Sequence, residues 1–284
     1  MIDLEAATVL LQWAVGGLAF LWVTTRRRQV GLGYGWLLRG IYAAMAAGAA
    51  VAGLAFDPTP VRDAASSLVA VSALAVLAVS VSRRKAGVRA QQVDHDRRSA
   101  RVAAMTGVDR ADRAEPPHGP EFDPRLDLVP VVIGVVGLVA AGVTAGGPTG
   151  LALARTLVGA AFLGSISDAM LLGHWYLVQP GLPRAPLLEL VRWVGWIWPF
   201  EVGLLLWPPG MVAVLRGSID DGYDGLLGWF WVASAAATIV LVQVTKAALR
   251  ERYYSAVMAA TGLLYLAILT AFCTDLVARA VLAG

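Results

Sequence analysis

The chain has 284 residues, 58% of them hydrophobic and 15% charged, with a formal net charge of +3 and a mean hydropathy of +0.66. A soluble domain is about a quarter charged, so this composition excludes a soluble globular fold, and so small a net charge leaves no footprint for nucleic acid. The single cysteine, Cys273, excludes an internal disulfide framework and a cysteine-ligated iron–sulfur cluster.

A helix needs roughly 20 apolar residues to cross the hydrocarbon. Eight stretches meet that need, at about 5–25, 34–56, 64–82, 128–145, 150–178, 187–207, 226–247 and 255–281. Asp3 and Glu5 precede the first run, where a signal peptide would carry a basic start, so that run reads as a membrane span. The fourth is short and rich in glycine. The fifth is too long for one perpendicular crossing and must tilt or project. The expected fold is an all-α polytopic membrane protein of eight transmembrane helices.

Basic residues set the orientation, because loops on the cytoplasmic side are enriched in Lys and Arg near span ends. Arg26, Arg27 and Arg28 follow span one, and Arg83, Arg84, Lys85 and Arg89 follow span three. Arg184 lies between spans five and six, and Lys246, Arg250 and Arg252 close span seven. Alternating spans put all of these on one side. Asp57, Asp63, Asp220, Asp221 and Asp224 fall on the other side, with Arg62 and Arg216. The pattern predicts a bacterial-type cytoplasmic (inner) membrane, both termini extracytoplasmic, and the segment 83–127 in the cytoplasm.

That segment divides the chain into helices one to three (1–82), a linker (83–127), helix four (128–145) and a second four-helix half (146–284). Its first part, "RRKAGVRAQQVDHDRRSARVAA", suits a short interfacial helix on anionic lipid. Its second part, "DRADRAEPPHGPEFDP", reads as a polar linker. His95 between Asp94 and Asp96 is no metal set, because neighbours in a solvated loop rarely converge on one ion. No metal site is expected.

The two halves resemble each other. "GLAFL" at 17–21 matches "GAAFL" at 159–163, and "VAVSALAVLAVSVSRRK" at 69–85 matches "VASAAATIVLVQVTKAA" at 232–248. Four spans per half preserve orientation, so the expectation is two four-helix bundles related by a parallel internal repeat.

Charges inside spans are costly and mark functional candidates, and most of those noted here fall in the second half. Arg155 and Glu201 each lie about 9 Å below the outer ends of spans five and six at 1.5 Å per residue, which predicts an ion pair. Asp168 and Arg192 share a level near the other end, with Glu189 one turn from Arg192. Asp275 and Arg279, spaced i,i+4, predict a local pair. His174 is six residues beyond Asp168, about 120° around the helix, so the two do not share a face. Two readings stay open. In one, Asp168 is salt-bridged and His174 anchors the helix at headgroup level beside Trp175 and Tyr176. In the other, Asp168, His174, Tyr176, Arg192, Trp193 and Trp196 line a ligand pocket near the cytoplasmic face. Pro199 is expected to kink span six.

His174 is the one histidine in a span, which disfavours haem, and no cofactor is expected to be covalently bound. No phosphate loop, zinc motif or hydrolase elbow is present. The reading taken from the sequence is a membrane subunit of an electron-transfer complex, binding a quinone near the cytoplasmic ends of helices five and six. Its partners would be the bilayer and other membrane or cytoplasmic subunits. A secondary transporter for a small solute or ion, and a structural subunit without a ligand, are the alternatives.

Overall fold

In lipid every backbone N–H and C=O must find its partner within the chain, and the apolar runs meet this by folding as long helices. The computed structural model describes residues 5–86, 120–179, 182–251 and 253–282. Its helices are α1 (Ala6–Thr25), α2 (Leu32–Phe56), α3 (Pro60–Ser82), α4 (Leu128–Thr144), α5 (Thr149–Val178), α6 (Ala185–Leu206), α7 (Leu226–Ala248) and α8 (Tyr254–Leu282). A five-residue helical turn, Met211–Leu215, lies between α6 and α7. No strand occurs among the described residues. Most of the expected linker, including the interfacial helix, His95 and His118, lies outside them.

Seven of these helices are long and apolar enough to cross a membrane, and α6 is not among the seven. It carries Glu189, Arg192 and Glu201 in 22 residues, which dilutes its hydropathy. The helix runs through Pro199 without a break. At α3 the helix begins at Pro60, four residues ahead of the sequence estimate. Arg62 and Asp63 are thereby taken into its first turns, buried to 1% and 3% exposure. Hydropathy alone assigns such charges to a loop. They are tolerated here because Arg62 Nε donates to Asp63 Oδ1 at 2.9 Å and its far end reaches the backbone carbonyl of Asp57.

Helix contacts close into two rings. α1 packs on α2, α2 on α3, α3 on α4 and α4 back on α1; α5, α6, α7 and α8 follow the same order. The rings meet chiefly through α1 and α5, whose apolar windows are 72% buried against 33–44% for the other five candidate spans. These two helices form the centre. Valines and leucines such as Leu54, Val71, Val132, Val240 and Leu269 remain exposed on the outer helices, as a lipid-facing belt should be.

Helix association in lipid depends on close van der Waals packing, and the α1–α5 crossing achieves it with glycine. A Cβ built on Gly16 would stand 1.8 Å from the Ala160 carbonyl oxygen, and one on Gly164 would stand 2.1 Å from the Gly16 carbonyl carbon. The two backbones therefore touch directly. Leu11, Leu18, Phe162, Leu163 and Ile166 of these two helices are all fully buried. Around this centre the helix ends sort by charge. Arg26 and Arg27 at the end of α1 meet Glu189 at the start of α6 on what we call the basic face. The opposite ends, with Asp57, Asp63, Asp220, Asp221 and Asp224, form the acidic face.

Candidate functional site

Two polar constellations are buried within the helices, one toward each face. Toward the acidic face, four helices contribute. Glu201 of α6 and Asp275 of α8 are both fully buried. Asp275 accepts from Arg279 Nε at 2.9 and 2.8 Å through its two oxygens, and Arg279 Nη2 donates to the Arg155 carbonyl of α5 at 3.0 Å. Gln12 of α1 donates to the Thr156 carbonyl at 2.7 Å, while its own Oε1 is buried without a donor. Gln12, Asp275 and Arg279 converge over Gly159. A Cβ there would stand 2.3 Å from Arg279 Nη2, 2.9 Å from Asp275 Oδ1 and 3.3 Å from Gln12 Nε2. A larger residue there would force the ends of Arg279 and Asp275 to shift.

Glu201 is the unusual member. Neither of its oxygens receives a hydrogen bond. Its electrostatic neighbours are Asp275, Arg279 and Arg155.

Arg155 does not pair with Glu201. Its Nε donates to the Leu204 carbonyl at 3.0 Å, and its Nη2 donates to the carbonyls of Trp207 and Pro209 at 2.9 and 2.8 Å. The cause lies in the end of α6, whose last carbonyls have no partner within the helix and concentrate its negative pole. An arginine that satisfies three carbonyls at once is held away from the neighbouring acid. Beside it opens a cavity of about 270 Å³, lined by Glu5, Thr8, Arg155, Thr156 and Arg279 among apolar side chains.

Toward the basic face, Asp168 of α5 is fully buried and accepts a hydrogen bond from the Tyr42 hydroxyl of α2, while its Oδ2 has no donor. The Tyr34 hydroxyl donates to the Asp168 carbonyl at 3.3 Å. In the first bundle, Arg39 of α2 donates to both oxygens of Asp127 at 2.7 and 2.8 Å, with the Phe122 ring 4.4 Å from its guanidinium carbon. On α5, Ser167 receives the indole N–H of Trp13 at 2.8 Å, joining the two bundles at mid-depth.

The residues expected around a ligand do not gather. Asp168 faces α2. His174 is exposed, its Nδ1 3.0 Å from the Tyr265 hydroxyl of α8. The Tyr176 hydroxyl donates to the Pro183 carbonyl. Arg192 is exposed, off the buried stripe of α6 that runs through Leu187, Leu190, Val191 and Val194, so the Asp168–Arg192 pair does not form. Glu189 pairs instead with Arg26 and with Arg27, the latter at 3.3 Å. Trp193 packs edge-on against Trp196 and Phe20, and Trp196 is 62% exposed. Asp275 and Arg279 form a pair at 2.8 Å. Among the described residues no three His, Cys, Asp or Glu side chains converge as a metal set.

Sequence reasoning passed over Gln12, Tyr42, Arg39 and Asp127. The last two carry a readable signal, since Arg39 stands inside span two and Asp127 just before span four, opposite charges at the same end. Tyr42 and Gln12 carry none, because neutral polar residues are common in spans. No family model matches the chain, and neither curated proteins nor solved structures give a match.

Proposed function

We propose that this chain is a proton-linked secondary transporter for a small solute. In this reading all eight long helices cross the membrane, α6 included, in two duplicated four-helix halves, with both termini outside a bacterial-type cytoplasmic membrane. Glu201, facing Asp275, is the proton site. The observation that carries the proposal is the Glu201 carboxyl, buried at membrane depth without a donor to either oxygen. A fixed charge in that position costs several kcal/mol, whereas a group that gains and loses a proton is the standard coupling device of such pumps and transporters.

The duplication draws support from Gly17 and Gly159, which the "GLAFL" and "GAAFL" matches align. Each makes room for a side chain from another helix, Tyr42 over Gly17 and Arg279 over Gly159. Transporters built from repeats place their sites where the halves meet, and here α1, α5, α6 and α8 all contribute to the cluster. The quinone reading needs Asp168, His174 and Arg192 around one ligand, and they face three different ways. A purely structural subunit gives Glu201 no role.

The test is proton movement in liposomes loaded with a pH-sensitive dye. Reconstituted protein should give a solute-dependent proton signal with at least one member of a panel of small organic anions, cations and amino acids. Glu201→Gln should abolish that signal while eluting as wild type on gel filtration. Solute uptake indifferent to a protonophore, or a protein that moves nothing and is recovered only with partner chains, would overturn the proposal.

A further inference from the structure

The basic face carries an open cleft that the proton site does not use. It lies between the end of α1 and the helical turn Pro124–Asp127 that leads into α4. Trp22, Arg26, Arg27, Arg28, Asp123 and Arg125 line it. The local fold explains the gathering. α1 ends at Thr25, and Arg28 takes a left-handed conformation with φ 54°, so the chain turns just where three arginines follow one another. Across the cleft, Asp123 Oδ1 accepts the Arg125 N–H at 3.0 Å and so opens the turn that supplies the fourth arginine.

The charges leave a positive excess. Four guanidinium groups and one carboxylate, Asp123, line the cleft. Two carboxylates outside it compete: Glu189 of α6 takes Arg26 and, at 3.3 Å, Arg27, and Glu121 takes Arg28. Among the described residues, four positive charges thus stand against three negative. Arg83 adds a further cation beside Glu121, whose carbonyl it reaches at 3.4 Å, and the neighbouring Asp127 is paired with Arg39. Arg125 is exposed, and its side chain has no partner among the described residues. The negative pole of α1 is itself capped, because the N–H groups of Arg26 and Arg28 take the carbonyls of Trp22 and Thr25 at 2.9 and 2.8 Å.

Trp22 sets the depth. It lies one helical turn inside Arg26, about 6 Å along α1, with the Arg26 guanidinium carbon 5.2 Å from its ring centroid. Its indole N–H has no partner among the described residues. A tryptophan one turn inside a row of arginines marks a membrane–water boundary, so the cleft opens at the level of lipid headgroups. Its volume of about 410 Å³ equals roughly fourteen waters at about 30 Å³ each, which admits a phosphodiester and the glycerol beside it.

We infer that this cleft holds the headgroup of an anionic phospholipid, its phosphodiester against Arg27 and Arg125 and its glycerol end against the Trp22 indole. A guanidinium offers a phosphate paired N–H donors, and basic pockets between membrane helices suit such headgroups. The inference goes beyond the transport reading and needs no proton on Glu201. Because Arg26 and Arg27 also reach Glu189 of the second bundle, the lipid sits at a joint between the two halves.

The experiment is native mass spectrometry and thermal unfolding of full-length protein in a neutral detergent. The probes are dioleoylphosphatidylglycerol, dioleoylphosphatidylcholine and soluble glycerophosphate. The phosphatidylglycerol should be retained and should raise the melting temperature, and the other two should do neither. Arg125→Gln should weaken phosphatidylglycerol about fivefold, the effect of one arginine near an anionic surface, and should melt as wild type without lipid. Arg27→Gln should weaken it similarly and provides a second variant. Arg250→Gln, at an exposed arginine beyond the end of α7 and outside the cleft, should change nothing. Equal retention of phosphatidylcholine, equal stabilisation by soluble glycerophosphate, a loss in Arg250→Gln as large as in Arg125→Gln, or unchanged affinity in both cleft variants would overturn the inference.

Discussion

Asp127→Asn tests how the first bundle is held. Arg39 and Asp127 are 2% and 0% exposed and joined by two short hydrogen bonds. The substitution preserves shape and removes the charge, leaving a guanidinium at membrane depth beside an amide. Removing one member of a buried pair costs about 3–5 kcal/mol. Independently, two hydrogen bonds to charged groups at about 1.5–3 kcal/mol each give about 3–6 kcal/mol, the same range. At about 1.4 kcal/mol per tenfold, the unfolding equilibrium should shift by roughly two to four powers of ten. The assay is unfolding by dodecyl sulfate in mixed micelles, followed by tryptophan fluorescence. The double variant Arg39→Met/Asp127→Leu removes both charges and should return to within about 1–2 kcal/mol of wild type. An Asp127→Asn protein within about 1 kcal/mol of wild type, or a double variant as unstable as the single, would refute the reasoning.

Gly164→Ala should destabilise by about 1–3 kcal/mol or more, as overpacking does, because its methyl meets Gly16 backbone at 2.1 Å. Gly262→Ala meets nothing within 4 Å and should gain up to about 1 kcal/mol of helix propensity; the same unfolding assay compares them. Tyr42→Phe removes the one side-chain donor to Asp168 among the described residues and should cost about 1–3 kcal/mol, with Asp168→Leu on that background restoring part of it. In the α6–α7 loop, burial alone would raise the Asp221 carboxyl, but the backbone N–H groups of Gly225, Tyr223, Gly228 and Leu227 outweigh it and hold it below the usual carboxylate range. Its stabilisation is therefore complete above the unfolded value near about 3.9 and fades as pH falls through the lower folded value. The melting temperature of Asp221→Asn should lie below wild type at neutral pH, and the gap should close in that acid window. A gap that is constant with pH would contradict this.

Hydropathy made seven of the long helices legible as apolar runs long enough to cross lipid, α6 being the exception, and the i,i+4 spacing placed Asp275 beside Arg279. Side-chain partners across helices were legible only where charge and depth left one choice. Arg155 had two, an acid and the end of a helix, and sequence depth cannot weigh a carboxylate against three carbonyls. Asp168 took a tyrosine of α2, a donor indistinguishable by spacing from other tyrosines in the chain. Arg192 looked buried by depth alone, but its place around α6 turns it outward, and only the packed neighbours fix which face of a helix is inner. The Pro60 start of α3 escaped notice because a hydropathy window penalises Arg62 and Asp63 without recognising that they neutralise each other.

The backbone contact at Gly16 and Gly164 also limits how the two bundles can move. A slide of one helical turn, about 5.4 Å, would bring Gln12 or Phe20 of α1 to the level where Gly164 leaves no room for a side chain. The contact therefore acts as a detent, barring piston-like travel of one half past the other while leaving rotation about the crossing free. Any cycle that exposes the Glu201 cluster to alternate sides of the membrane must proceed by tilting of the halves, with this point nearly still.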